Sequence, residues 1–309
     1  MKVVSYLKTV PGKNSNQQKE DLLRFFVEGA KKYGDDGVVH DKASIMPADV
    51  AVIQGWVHEN FSTPHLKLRK DIIERQQKLK KYTVAADANL FLYANSSNPH
   101  GYLRYSFNGI FPSTGIYCDN NPNPARWQQI QKDIGIRMQR EVRNGSHILL
   151  MLQRQGGWSM GGDDVEQWAV RNIKRIRQYS DRPIIIRPHP GDKNTKVYLN
   201  PKVTRLNKFQ NVKINLKKSS LNEDLRNAWA VVNHNSSSIV GPIIMGYPAF
   251  VTDVTNSQCA EVAHTDYSEI ENPRHFDRQK WLERISMFHW KFSELQDGNC
   301  WVHMRNYCQ

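Results

Sequence analysis

Short apolar runs alternate with amphipathic stretches along most of the chain, and their two periods separate strands from helices. Val3 to Leu7 reads as a strand, followed by a Gly/Asn/Ser loop. From Gln17 to Lys32 the apolar residues Leu22, Leu23, Phe26, Val27 and Ala30 recur at helical spacing. Asp49 to Gly55 is a buried-strand run, Leu66 to Lys80 has helical spacing, and Tyr82 to Ala86 is a strand that delivers Asp87 to its carboxyl end. A loop-rich stretch runs to Pro124, then a short helix from Arg126 to Ile134. The pattern restarts near Gly145. Ile148 to Leu152 is a buried strand opening into Gln153–Gly162, after which Asp163 or Asp164 caps a helix reaching about Tyr179. Pro183 to Ile186 and Val212 to Ile214 are strands, Ser220-Leu-Asn-Glu223 is a capping box, and Ala228 to Val232 is another buried strand. Ile239 to Met245 forms a helix body closed by Gly246 and Pro248, and Ala249 to Thr252 is the last strand. His275 to Leu295 reads as one long helix with Trp281, Ile285, Phe288 and Phe292 as its stripe.

Strands alternating with helices imply parallel sheets and an α/β fold. The restart divides the chain, and its 309 residues suffice for two domains. The expected architecture is two Rossmann-like domains with a cleft between them. They span residues 1–143 and 144–270, and 271–309 form a C-terminal helix packing back on the first.

Composition changes this picture in three ways. No apolar run exceeds seven residues, so no membrane span is expected. Cys118, Cys259, Cys300 and Cys308 lack C-x-x-C spacing, which argues against a zinc site and a disulfide framework and makes the cytoplasm the default compartment. The net charge of +13 favours a polyanionic partner. That charge is uneven: His65 to Lys81 carries seven Lys/Arg against two acids, and Lys196 to Arg226 is similarly lopsided.

Three polar corners carry the candidate chemistry, each directly after a predicted buried strand in the second half. The first is Asn233-His-Asn-Ser-Ser-Ser238, where serines open a helix. A helix start offers free N–H groups to an anion, although serine is also simply a good N-cap. The second is Arg187-Pro-His-Pro-Gly191, whose prolines fix a turn that aims Arg187 and His189; Arg and His both suit phosphate. The third is Gly156-Gly-Trp-Ser-Met-Gly-Gly162, where Gly157 and Ser159 stand in a loop that lets backbone approach a ligand. Carboxyl ends of parallel strands share one edge, so the three corners can converge on one ligand.

A His-Pro element after a strand, then a Ser-Ser element opening a helix about 45 residues later, resembles the C-terminal nucleotide-binding half of GT-B glycosyltransferases. The likeness is to bacterial capsule polysaccharide transferases of the sialyl and Kdo types and to teichoic-acid glycerophosphotransferases. It covers residues 146–255. It implies that His189, Ser236, Ser237 and Ser238 contact the donor's phosphates; phosphate charge would be met by Arg187, His189, helix N-termini and, as a further candidate, Arg154. In size and basicity the chain is also similar to bacteriophage DNA β-glucosyltransferases. A GT-B enzyme takes its acceptor base from the first domain, which nominates Asp87, ahead of His40, Asp41 and Asp119. Asp253 or Glu261 would hold the ribose. The donor would be a UDP-sugar or a CMP-sugar, with no metal required, since no Asp-x-Asp motif occurs.

The resemblance leaves the acceptor open. The basic segment nominates Lys67, Arg69 and Lys70 for duplex DNA carrying a hydroxymethylated base. Arg104 and Tyr105, with Tyr102 and Phe107, would cradle a base taken out of the stack. The enzyme would then work in the cytoplasm of a phage-infected host. The alternative acceptor is a surface or capsule polysaccharide. Two further alternatives are a nucleotide-sugar 2-epimerase and a non-catalytic polyanion-binding protein.

Overall fold

The structure is a computed structural model that describes residues 1–11, 17–57, 63–217 and 219–308, apart from the side chain of Trp158. The expected loop at 12–16 lies outside the described residues. In chain order the elements begin with β1 (Lys2–Tyr6), α1 (Gln17–Lys32), β2 (Asp36–His40), β3 (Val50–Gln54), α2 (Pro64–Lys78), β4 (Tyr82–Asp87), β5 (Leu103–Phe107) and α3 (Pro124–Ile134). There follow β6 (His147–Met151), α4 (Val165–Ile176), β7 (Ile184–Arg187), α5 (Thr195–Tyr198), β8 (Val212–Ile214), α6 (Leu221–Leu225), β9 (Ala228–Asn233), α7 (Val240–Ile244) and β10 (Ala249–Val251). The last are α8 (Arg278–Ser286), β11 (His289–Trp290), α9 (Phe292–Gln296) and α10 (Asn299–Arg305).

The chain forms two compact units: residues 1–90, 97–135 and 282 onward make the first, and 91–96 with 136–281 make the second. The first unit's sheet has the order β11-β5-β4-β3-β1-β2. Its strands β2, β1, β3 and β4 are parallel, and β5 runs antiparallel to β4. Val50-Ala-Val-Ile53 is unbroken in its apolarity because both faces of β3 are covered. On one face α1 packs Leu22, Leu23 and Phe26 against Val3, Val50, Val52 and Val84.

The long terminal helix expected over 275–295 is absent. The helix α8 stops at Ser286, and His289 and Trp290 instead pair antiparallel with Arg104 and Leu103 of β5. Apolar spacing alone is compatible with a continued helix. What overrides it is β5, whose outer backbone groups need a partner. The chain then turns through α9 and α10 and sets Phe288, Leu295, Trp301 and Met304 into the core beneath α1. Burying side chains of this size stabilises by about 1.5–3 kcal/mol each. Gly29 permits the close approach of α1 to α9, since a Cβ there would collide with the Leu295 carbonyl oxygen.

The second unit's sheet has the order β10-β9-β6-β7-β8, all parallel. The helix α4 lays Val165, Trp168, Ala169, Ile173 and Ile176 on one face, against Ile148, Leu150, Ile184 and Ile186. Asp164 caps it, accepting from Gln167 N at 2.8 Å, and the Ser220/Glu223 capping box forms. From β6 the chain moves outward through β7 to β8, then returns to the other side of β6 with β9. The order therefore reverses between β6 and β9, and open α/β sheets bind ligands outside the carboxyl ends at such a reversal.

Candidate functional site

The corner after β6 and the corner after β9 flank this reversal, and they are bonded to each other. Gln153, buried at the end of β6, accepts from Asn235 N at 2.9 Å and donates to Ser159 Oγ at 2.6 Å. Asn235 in turn donates through Nδ2 to Ser159 O at 2.9 Å. The corner after β7 joins from the other side, because Asp192 accepts from Gln155 N at 2.9 Å. The three corners form one hydrogen-bonded edge.

Within that edge the serines divide their work. Ser236 is an N-cap, accepting from Ser238 N at 3.2 Å, and its Oγ lies 3.0 Å from Ser238 Oγ. Ser237 donates to Gln258 Oε1 at 2.9 Å. They open a 3-10 turn and then the five-residue α7, too short for a strong dipole, so hydroxyls and backbone N–H groups are the donors here. In the Gly-rich loop, Gly161 and Gly162 adopt φ of +59° and +83° with open space where a Cβ would stand. Those glycines serve backbone conformation, which other residues would strain. Gly157 N closes a turn on Arg154 O at 3.0 Å. The N-terminus of α4, expected to welcome an anion, is already occupied by Asp164 and by Gln155, which accepts from Val165 N at 2.9 Å.

His189 sits half-buried in its proline turn, and Gly191 N donates to its Nδ1 at 3.1 Å. The ring proton of the neutral imidazole therefore rests on Nε2, leaving that N–H as a donor. Burial lowers the His189 pKa, the nearby Arg154 and Arg187 lower it too, and Asp192 opposes them, so the neutral ring is favoured. Arg187 has a structural task as well. Its Nη1 bonds the buried Asp224 and Ser219 O at 3.1 Å, tying β7 to the segment before α6. The exposed cation beside His189 is Arg154; a side chain at Gly191 would press against both.

Asp253 is likewise architectural. It accepts from Thr255 N, Asn256 N, Asn256 Nδ2 and Asn235 Nδ2, which fills its acceptor positions and leaves none for a ribose. Glu261 is exposed in a 3-10 turn after β10. Sequence reasoning missed the segment after β8. Asn215, Leu216 and Ser219, with Pro188, Pro190 and Leu199, line a groove of about 800 Å³ that also touches Arg187 and His189. It also missed Gln153, Asn235 and Asp192; for the first two, a polar residue just after a buried strand was the available signal.

In the first unit the expected acceptor residues separate sharply. Lys67 is exposed, and Lys70 lies 3.4 Å from Glu74 one helical turn away. Arg69, by contrast, is 6% exposed and donates to Thr9 O at 2.7 and 2.9 Å and to Gln54 Oε1 at 2.7 Å. Arg104 is 3% exposed and pairs with Asp87 at 2.9 Å. Tyr102, Tyr105 and Phe107 are wholly buried core, so the aromatic cradle for a flipped base does not exist. Asp87 stands at the carboxyl end of β4, partly exposed, with Oδ2 on Arg104 and Oδ1 on Ala88 N. Among the described residues no cluster of His, Cys, Asp or Glu could hold a metal, and no helix is long and apolar enough to cross a membrane.

Two parallel-sheet units of this kind make a GT-B-like α/β fold, and solved structures share it. A Thermosulfurimonas dismutans KpsC β-Kdo 2,4 transferase is similar over 94% of this chain and 92% of its own, at 12% identity and a TM-score of 0.56. The β-Kdo 2,7 transferase of the same organism's KpsC is similar over 98% and 99%, at 11% identity and 0.52. A Methanocaldococcus jannaschii UDP-GlcNAc 2-epimerase covers 99% of both chains at 13% identity, but its TM-score of 0.36 is too low to carry an argument. No protein-family model and no curated protein matches the sequence.

Proposed function

We propose that the protein transfers a sugar from a nucleotide-sugar donor to a hydroxyl of a glycan acceptor. The observation that carries this is the bonded edge at the β6/β9 reversal, where three strand-end corners are held together by Gln153, Asn235 and Asp192. His189 Nε2–H, the Arg154 guanidinium and the free donor of the Ser236/Ser238 hydroxyl pair supply the donors for phosphate oxygens. As the sugar–phosphate bond breaks, they stabilise the charge left on the nucleotide. The groove after β8 takes the uridine or cytidine of the UDP- or CMP-sugar. Asp87 takes the acceptor proton as the new glycosidic bond forms. A glycan is preferred to DNA because Arg69, Arg104 and Tyr105, the side chains expected to grip a duplex and its flipped base, are interior. The naming of both fold-sharing chains as Kdo transferases supports sugar transfer by analogy of fold.

The test is a panel of UDP- and CMP-sugars incubated with anionic and neutral glycans and with hydroxymethylcytosine DNA, followed by mass spectrometry. A glycosylated glycan is expected; an epimerised donor or modified DNA as the sole product overturns the proposal. Asp87→Asn should lower turnover by about 10²–10⁴-fold while nucleotide affinity stays level. Near-normal turnover in that variant removes Asp87 as the base.

A further inference from the structure

From Lys193 to Lys217 the chain carries seven Lys/Arg and no acidic residue. Arg205 is used internally, paired with Glu166 at 3.0 Å. Lys193, Lys196, Lys202, Lys208, Lys213 and Lys217 are all exposed. Among the described residues, the three most exposed large apolar side chains fall in this same stretch: Val197 at 72%, Val203 at 69% and Leu216 at 51%. The stretch contains α5, the following 3-10 turn and β8, which is the edge strand of its sheet.

Lysines beside an edge strand have an ordinary explanation, since charge there discourages strand-to-strand aggregation. The valines do not share it, because Val197 lies in α5 and Val203 in the loop after it, off the edge strand, and exposed apolar side chains add nothing to that protection. Nor do they suit a polysaccharide or nucleic-acid backbone, which rewards cations and hydrogen-bond donors. Exposed apolar side chains interspersed with exposed lysines along one stretch match an anionic lipid surface, where lysines meet headgroups and valines reach the acyl boundary.

We propose that residues 193–217 form a docking face for an anionic membrane surface. This holds whether or not the protein transfers sugars. Lys193, Lys196, Lys217 and Leu216 also line the groove after β8, so docking brings that groove to the headgroup layer.

The test is sedimentation of the 309-residue chain with vesicles of phosphatidylcholine, with and without phosphatidylglycerol, at low and high salt. Binding is expected only to the anionic vesicles and to fall with salt. The pair Lys202→Glu/Lys208→Glu, outside the groove, should weaken it by roughly 25-fold or more while nucleotide affinity is unchanged. Val197→Ser/Val203→Ser should weaken it by about fivefold with an unaltered melting temperature. Absence of any preference for anionic vesicles overturns the proposal. So does a valine pair that leaves vesicle binding intact while soluble dextran sulfate binds as well as the vesicles, the result expected of an acidic-polymer site.

Discussion

The two units use one architecture and treat its most valuable position in opposite ways. In the first, strand order reverses between β1 and β3, just as it does between β6 and β9 in the second. The first unit fills its reversal with Arg69, which bonds Thr9 O and Gln54 Oε1 and lies so near Gly55 that a Cβ there would meet its Nη1 at 2.8 Å. Burial pulls the Arg69 pKa down to about 10, still cationic at neutral pH. The second unit instead lines its reversal with small polar groups bonded sideways to each other. Sheet topology creates the crevice in both; the side chain that enters it decides whether a ligand can.

The comparison breaks most visibly at the plug. Arg69→Met leaves Thr9 O and Gln54 Oε1 buried without their donor, and urea unfolding should show a loss of about 3 kcal/mol. A loss below about 1 kcal/mol would mean that the first unit's crevice is not held shut by this residue. Acid should act next. His289 is enclosed in the first unit with Nδ1–H donating to Ile285 O and Nε2 accepting from Leu90 N, and burial takes its pKa down to about 3. The unfolded chain, with an ordinary histidine near 6.5, therefore takes up the proton first. Stability present at pH 7 is lost as pH falls below that ordinary value, by about 2 kcal/mol at pH 5 from this ring alone. Thermal melts of His289→Gln should show a flatter profile over that interval; an unchanged slope assigns the acid sensitivity to other groups.

The smallest effects test the open crevice. His189→Ala should weaken UDP or CMP binding by about tenfold in calorimetry and change stability by less than about 0.5 kcal/mol. Arg154→Gln should weaken binding by about fivefold, whereas Arg187→Gln should lower stability more than affinity, because its partner Asp224 is buried. If Arg187→Gln proves the worse binder and leaves the melting temperature alone, the roles of the two arginines are reversed.

Much of the fold was legible because β3, β6 and β9 are covered on both faces and so read as apolar runs, and β1, β4 and β7 carry shorter ones. The helices α1 and α4 were legible through their periodicity. What escaped depends on partners distant in sequence. Leu103-Arg-Tyr-Ser-Phe107 does alternate apolar and polar, but it is short and set among Gly, Pro and Asn, and its pairing with β4 shows only in the fold. His289-Trp290 leaves its helix only because β5 offers an edge. At the site, the positions of the corners could be read, but the allegiance of charged residues could not. Arg187 and Arg154 look equally available in sequence, and only the fold brings Asp224 against the first and leaves the second exposed. Asp253 looked like a ligand residue for the same reason, before four donors around it came into view.

The return of the chain's last stretch to its first sheet has a consequence for timing. During synthesis, residues 136–281 emerge as one continuous segment and can close their core as soon as they clear the ribosome. The first unit is made earlier but lacks Phe288, Leu295, Trp301 and Met304, and its strand β5 has an open edge until His289 and Trp290 arrive. The usual order of domain-by-domain folding is thereby inverted. The unit that is begun first is completed last, and until then it is the part of the nascent chain most in need of a chaperone.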